Sequence, residues 1–288
     1  MRIFIAGGSG FIGNILLDYF SKEHETHGSF YANPAPGLTY FDMADRENVK
    51  KTITRLKPDV IIHPAFNSNV EYCEENPKET WHMNVEGSKN VIEAARDIGS
   101  KFVFFSSDYV FDGSNGPYSE EDAPNPINEY GKQKLAVENI INDYLSDHLI
   151  IRTTVVYGWE IAGKNFCIRL IKNLKENKSM KVPFDQIGSP TYALNMVQAV
   201  KDLVETDKRG IYHVVGSDLM DRYTFARNVA EVFELDECFL IPVSTSELRQ
   251  KARRPLHAGM KNDKVQKEIS TKLMGVKDGL EEMKRNRR

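Results

Sequence analysis

Three cysteines in 288 residues, Cys73, Cys167 and Cys238, are odd in number and widely separated. They show neither a disulfide framework nor a paired zinc spacing, and a reducing cytosol is their simplest setting. No apolar run approaches the roughly 18 residues of a membrane span. Met1 runs almost directly into the strand-like "RIFIA", which leaves no room ahead of it for a signal peptide. The formal charge is only -3, so no polyanion such as nucleic acid is implied as a partner. The dense basic runs are "KARR" (Lys251 to Arg254) and "KRNRR" at the C-terminus, the second read as a solvated tail. His24 and His27 lie in a polar turn without a third ligand nearby and read as surface residues, so no metal site is expected. Internal repeats and low-complexity tracts are missing too.

What is present is an ordinary globular composition, 41% hydrophobic and 27% charged. The length suits one large domain, or a core with a smaller partner. The first half alternates strand-like and helix-like segments. Strands are expected at "RIFIA", "GSFYA", "PDVIIHPA", "KFVFFSS" and "HLIIRTTVVYG"; helices are expected over Phe11 to Phe20, Glu47 to Leu56, Pro77 to Ile98 and the stretch "INEYGKQKLAVENII". Such alternation means a doubly wound parallel α/β sheet of Rossmann type. After Gly158 the rhythm loosens. Helices are expected over Asn165 to Asn177, after Pro190, and over Tyr223 to Phe233; "GIYHVVG" and "CFLIPV" read as strands, and "SELRQKARRPLHAGMKNDKV" as irregular and polar. The division expected is a dinucleotide-binding domain of residues 1–157 with about 191–215, and a smaller α/β substrate domain of 158–190 with 216–288, with a cleft between them.

Two motifs carry chemistry. In "GGSGFIG", Gly7, Gly10 and Gly13 follow a strand and open a helix. Glycines there let the backbone approach a pyrophosphate, which meets the free N–H groups of the helix N-terminus. Phe11 and Ile12 belong to the same cofactor turn. An acid near the end of the second strand would select NAD. "SFYANP" holds no acid, and no lysine or arginine either, so NADP(H) is favoured and NAD(H) stays open. Asp42, at a strand end in "FDMAD", is placed to accept from an adenine amine, with Met43 beside it; Asp45 fits a helix N-cap better.

The second motif is Tyr130 with Lys134, one turn apart on one helix face. A free phenol has a pKa of about 10. A neighbouring ammonium would lower it and fit the tyrosine for acid–base work. The alternative is a packed tyrosine with a lysine that snorkels to water. Ser106 and Ser107 end the preceding strand, at the edge where parallel sheets bind ligands. Asn128 reads as the N-cap of the helix, and Gly131 as a glycine kept because a side chain would crowd the cleft.

With the glycine turn, Ser107, Tyr130 and Lys134 together, the chain resembles the extended short-chain dehydrogenase/reductases. "SSDYVFDGSNGPYSEEDAPNPINEYGKQKLAVE", "KNFCIRLI", "DQIGSPTYA" and "RRP" narrow the resemblance to the dTDP-4-dehydrorhamnose reductase family, over essentially the whole chain. That resemblance implies a cytoplasmic NADP(H)-dependent reductase acting on the C4 ketone of a nucleotide-linked 4-keto-6-deoxyhexose, converting dTDP-4-dehydro-L-rhamnose to dTDP-L-rhamnose. It gives Ser107 and Tyr130 to the keto oxygen and Lys134 to the nicotinamide ribose, and lays Ala65 and Phe66 along the cofactor. Asn165, Gln186, Pro190, Thr191 and Arg254 would face the sugar or its nucleotide. A homodimer stays open; a membrane partner is not expected. Two departures touch the sugar's identity. His63-Pro64-Ala65-Phe66 stands where the family has Asn-Ala-Ala-Tyr, and Val155 where it often has a tryptophan. His63 itself reads as a satisfied strand-end histidine. An NAD-dependent epimerase keeps the same site; a dehydratase would want Asp-Glu where Asp108-Tyr109 stands. A third reading resembles the beta subunit of methionine adenosyltransferase, a non-catalytic NADP-binding module.

Overall fold

The structure is a computed structural model, and it describes residues 1–160 and 162–286. Its centre is a seven-stranded sheet in which every neighbouring pair is parallel. In chain order the strands are β1 (Arg2–Ile5), β2 (Glu25–Phe30), β3 (Thr39–Tyr40), β4 (Val60–His63), β5 (Lys101–Ser107) and β6 (His148–Thr153), completed by Gly210–His213. Across the sheet the order runs Gly210–His213, β6, β5, β4, β1, β2, β3. The order reverses at β1, whose neighbours are β2 and β4, so the crevice for a ligand lies beyond the carboxyl ends of β1 and β4.

Alternation along each strand builds the two faces. Ile3, Ile5, Ile62, Val103, Phe105 and Ile151 pack on helices Phe11–Phe20 and Ala193–Glu205. Phe4, Ile61, Phe102, Phe104 and Ile150 pack on Arg46–Leu56, Gly87–Ile98 and Glu129–Tyr144. A separate buried cluster gathers Tyr157, Leu170, Leu174, Phe225, Val229, Leu280 and Met283 from the later part of the chain. Three two-stranded ladders accompany it: Val156–Tyr157 with Thr191–Tyr192, Ile187–Gly188 with Met220–Asp221, and Met180–Pro183 with Leu240–Val243.

Several sequence expectations are corrected here. The strand over 148–158 is two: it breaks after Thr153, where Val155 takes φ +44°, a left-handed conformation that a β-branched residue avoids. The helix over 77–98 is continuous, but widens into a π-turn at His82–Glu86. The second strand begins at Glu25 and ends at Phe30, before Tyr31. The stretch read as irregular and polar holds a 3-10 turn, Thr245–Leu248, and buries Ala252, Ala258 and Met260; helices Asp263–Glu268 and Val276–Arg285 were not foreseen at all. "KRNRR" begins inside the last of these, where the Lys284 amine donates to the Val232 carbonyl at 2.8 Å; Arg287 and Arg288 lie outside the described residues. His24 is only partly exposed and pairs with Glu205 at 2.8 Å. The three cysteines are unpaired.

Candidate active site

The glycine turn sits at the point where the sheet order reverses. Gly7 has φ +94°, and a β-carbon on it would stand 2.9 Å from that of Ala65, so the turn after β1 and the loop after β4 touch. Gly13 packs against the Gly7 carbonyl, where a β-carbon would be 2.0 Å from the oxygen. Gly10 is the N-cap of helix Phe11–Phe20 and supplies no side-chain cap, which leaves that N-terminus open to an anion. Phe11 lies against Gly158, and Ile12 packs into the core of that sheet face. These features fit a dinucleotide's pyrophosphate. At the end of β2 the Ser29 hydroxyl accepts from the Gly7 N–H at 3.0 Å, and Tyr31 stands exposed beyond it. Asp42 spends one oxygen on the Ala44 N–H at 2.9 Å, while Asp45 caps the next helix. The Met43 carbonyl accepts from Asn90.

The loop after β4 is pinned on both sides. Ser88 gives its proton to the Asn84 carbonyl at 2.5 Å, so in its 3.0 Å contact with His63 it must accept from Nε2–H. That fixes the neutral tautomer of His63 and leaves Nδ1 buried without a partner, so the histidine is only half satisfied. Burial, then the Lys134 charge, holds its pKa down to about 3. Asn84, on the π-turn, accepts from the Asn67 N–H at 2.8 Å and donates to Gln133 at 2.7 Å. The widened turn thereby ties the Phe66 loop to the helix that carries Tyr130 and Lys134.

That helix starts as expected: the Asn128 side chain caps the Gly131 N–H at 2.9 Å. Tyr130, Lys134 and Glu138 then follow one another at four-residue spacing down its inner face. The Tyr130 ring packs edge-on to Phe66 and Tyr109, both at 5.7 Å. Lys134 is 3% exposed. Its amine donates to the Phe105 carbonyl at 2.6 Å and stands 3.6 Å from the Phe66 ring centre and 5.8 Å from that of Tyr130. Burial holds its pKa down to about 7, against the pull of Glu138.

The expected lowering of the Tyr130 pKa is reversed. Burial and then the Asp108 charge push the phenol up, opposed by a hydrogen bond with Ser107. Lys134 has turned its amine to a carbonyl and an aromatic face instead. Tyr130 is therefore held protonated, the form that can give a proton. The reason for Gly131 is also corrected. A β-carbon there would lie 2.0 Å from the Tyr109 carbonyl oxygen and 3.0 Å from Pro126, so the glycine serves packing of helix on loop rather than open space in a cleft.

Sequence reasoning missed three neighbours. Asp108 takes the Ser107 and Thr154 hydroxyl protons at 2.8 and 2.7 Å, and burial pushes its pKa up to about 6. Tyr109 bridges from Tyr130 to the Arg254 guanidinium, 5.9 Å from its ring centre. Glu138 is buried with Arg152 in a two-bond ion pair at 3.0 and 2.6 Å, and it also accepts from Ser106. The spacing of Glu138 from Lys134 was the available signal.

The residues assigned to the sugar divide. Arg254 joins the cluster: one guanidinium nitrogen pairs with Glu71 at 2.7 Å, and Nη1 is buried without a partner. Asn165 caps helix Phe166–Lys175 and donates to the Gly158 carbonyl, which occupies its amide locally. Gln186 is buried and donates to Thr245 at 3.1 Å. Pro190 is buried against Gly216. Thr191, 1% exposed, gives its proton to the Ser189 carbonyl and accepts from Gly216 N–H. The last two lie inside the packing, not on an open wall.

A family model described as the RmlD substrate binding domain matches residues 1–288. Methionine adenosyltransferase 2 subunit beta of Xenopus tropicalis is 31% identical over 275 residues, covering 92% of this chain and 82% of its own length. The dTDP-4-dehydrorhamnose reductase of Escherichia coli (strain K12) is 31% identical over 260 residues, covering 84% and 85%. The crystal structure of dTDP-4-dehydrorhamnose reductase from Bacillus anthracis in complex with NADP matches with a TM-score of 0.90 and 27% identity, over 99% of both chains.

Proposed function

This chain belongs to the RmlD substrate binding domain family, and we propose that it is an NADP(H)-dependent reductase of a nucleotide-linked 4-keto-6-deoxyhexose, dTDP-4-dehydro-L-rhamnose first among them. The observation that carries the reading is the cluster itself: a protonated Tyr130 with Ser107 beside it and a buried Lys134 stand against Phe66, whose neighbour Ala65 touches the glycine turn at Gly7. Gly7, Gly10, Phe11, Ile12 and Gly13 would hold the pyrophosphate end, Asp42 and Met43 the adenosine end, and Ala65 and Phe66 the side facing β4. Bound there, NADPH supplies the hydride. NAD(H) stays open, because the end of β2 offers neither an acid nor a base to the ribose.

The chain's own groups then do the rest. Tyr130 gives its proton to the keto oxygen as the carbonyl is reduced, and Ser107 hydrogen-bonds that oxygen. Lys134 orients the nicotinamide ribose and returns a charge to Tyr130 once the phenolate forms. Arg254 offers its unpartnered Nη1 to a phosphate. Asn165 and Gln186 border the sugar, while Pro190 and Thr191 act from behind, through packing. Residues 1–157 with about 191–215 form the cofactor part, and 158–190 with 216–288 the substrate part. The cytoplasm suits unpaired cysteines and a cofactor-dependent sugar enzyme.

A second reading has one observation in its favour: the methionine adenosyltransferase subunit covers more of this chain than the E. coli reductase does, 92% against 84%. The chain would then bind NADP without turning over a sugar. Mixing the protein with NADPH and a panel of 4-keto nucleotide sugars, while following the reduced nicotinamide, separates the two. Oxidation of NADPH supports the reductase; NADPH binding with no turnover of any member overturns it.

A further inference from the structure

The roles given to Ser107, Tyr130 and Lys134 leave one buried acid unused. Asp108 is 5% exposed and directly follows Ser107. Each of its oxygens takes a hydroxyl proton, from Ser107 at 2.8 Å and from Thr154 at 2.7 Å. It thereby links the end of β5 to the strained turn at Val155 that follows β6. Ser107 has a single proton to give. While Asp108 is charged, that proton is committed to it, one lone pair accepts from the Tyr109 N–H at 3.2 Å, and Ser107 has only the other lone pair to present to a substrate oxygen. An uncharged Asp108 has a proton of its own. It can donate to the Ser107 oxygen, and the serine O–H is then free to turn outward.

We propose that Asp108 is a positioning residue for Ser107: uncharged, it releases the serine proton toward the keto oxygen that Tyr130 protonates, and charged, it withdraws it. This rests on the reductase reading and deepens it. The groups that face Asp108 come from four other parts of the fold and from its own turn. Arg222, at the start of helix Arg222–Val232, favours the carboxylate, as do the hydroxyls of Ser107 and Thr154. Tyr130, on its helix, is pushed up by the Asp108 charge, and Tyr109, next along the chain, feels Asp108, Arg222, Arg254 and Glu71. Burial opposes the charge and brings the titration to about pH 6, where both forms are populated.

The test compares wild type, Asp108→Asn and Arg222→Gln in NADPH oxidation by a 4-keto nucleotide sugar, from about pH 5 to about pH 8. In wild type, kcat is expected to fall about fivefold or more as pH rises through about 6. Asp108→Asn keeps a donor and an acceptor at every pH, so the limb near pH 6 is expected to be missing from its profile, and only the titration of Lys134 near 7 remains. Arg222→Gln removes a charge that favours the carboxylate, so its limb moves to higher pH. An unchanged limb in Asp108→Asn, or an unmoved one in Arg222→Gln, overturns the proposal. Infrared spectroscopy gives a readout independent of turnover. The carbonyl band of a protonated buried carboxyl is expected in wild type at about pH 5, lost by about pH 8, and missing from Asp108→Asn throughout. Absence of that band in wild type also overturns the proposal. A band that titrates in a protein turning over no sugar supports the Asp108 titration and overturns the reductase reading instead.

Discussion

The Lys134 amine stands 3.6 Å from the centre of the Phe66 ring, closer than to any other aromatic face around it. A desolvated ammonium on a ring gains about 2 kcal/mol, which offsets part of the cost of burying it. The remainder shows in its pKa, held at about 7 against an ordinary 10.5. The fold thus favours the neutral amine. Relative stability present above about pH 10.5 is lost as pH falls toward 7. Lys134→Met is therefore expected to raise stability at pH 7 by about 1–3 kcal/mol while lowering kcat about 100-fold or more. Denaturant unfolding and NADPH oxidation on the same variant check both signs. A destabilised variant would contradict the account of this site.

His63 tests the other buried base. In the unfolded chain it takes a proton near pH 6.5, and in the fold it refuses one until about pH 3. The stability this provides is complete above about 6.5 and is lost as pH falls below it. His63→Asn keeps an amide donor for Ser88 and removes the titration. At about pH 5 it is expected to recover about 2 kcal/mol relative to its own difference from wild type at pH 8. Melting temperatures across pH measure this; parallel curves for the two proteins would contradict it.

Glu138 and Arg152 form a pair in which each side chain is 2% exposed. Removing one partner leaves a buried charge without its counterion. Glu138→Leu is expected to cost about 3–5 kcal/mol in urea unfolding. A loss under 1 kcal/mol would show that Arg152 finds another route to solvent or partner.

Gly131→Ala places a methyl group 2.0 Å from the Tyr109 carbonyl oxygen. Backbone must move, and Tyr130 is the adjacent residue. The expected cost is about 1–3 kcal/mol of stability, together with a kcat loss larger than the change in NADPH affinity. Gly131→Ser, with the same β-carbon, is expected to behave likewise.

Much of this was legible in the chain. Alternating apolar strands and the glycine turn gave the sheet, and Asn128, Tyr130 and Lys134 gave the helix and its cap. Local patterns fail where a tertiary contact decides. Val155 reads as strand, and only its pairing partner Thr191 and the turn after Thr153 explain the break there. The four-residue spacing puts Glu138 on the face of Lys134, but its partner Arg152 arrives from a strand that local pattern does not connect to it. Thr191 and Pro190 read as site residues because a motif surrounds them, yet their hydroxyl and carbonyl serve the packing of Gly216. The Tyr130 pKa went the other way because desolvation is invisible in a spacing.

The central claim is that this cluster delivers hydride and proton to a C4 ketone. The most direct measurement is the reaction of dTDP-4-dehydro-L-rhamnose with NADPH deuterated at its transferable position, followed by NMR of the sugar, for wild type and Tyr130→Phe. Wild type is expected to place one deuterium at C4. Tyr130→Phe is expected to bind NADPH and slow the transfer by about 100-fold or more. An unlabelled C4, or full activity in Tyr130→Phe, would contradict the account.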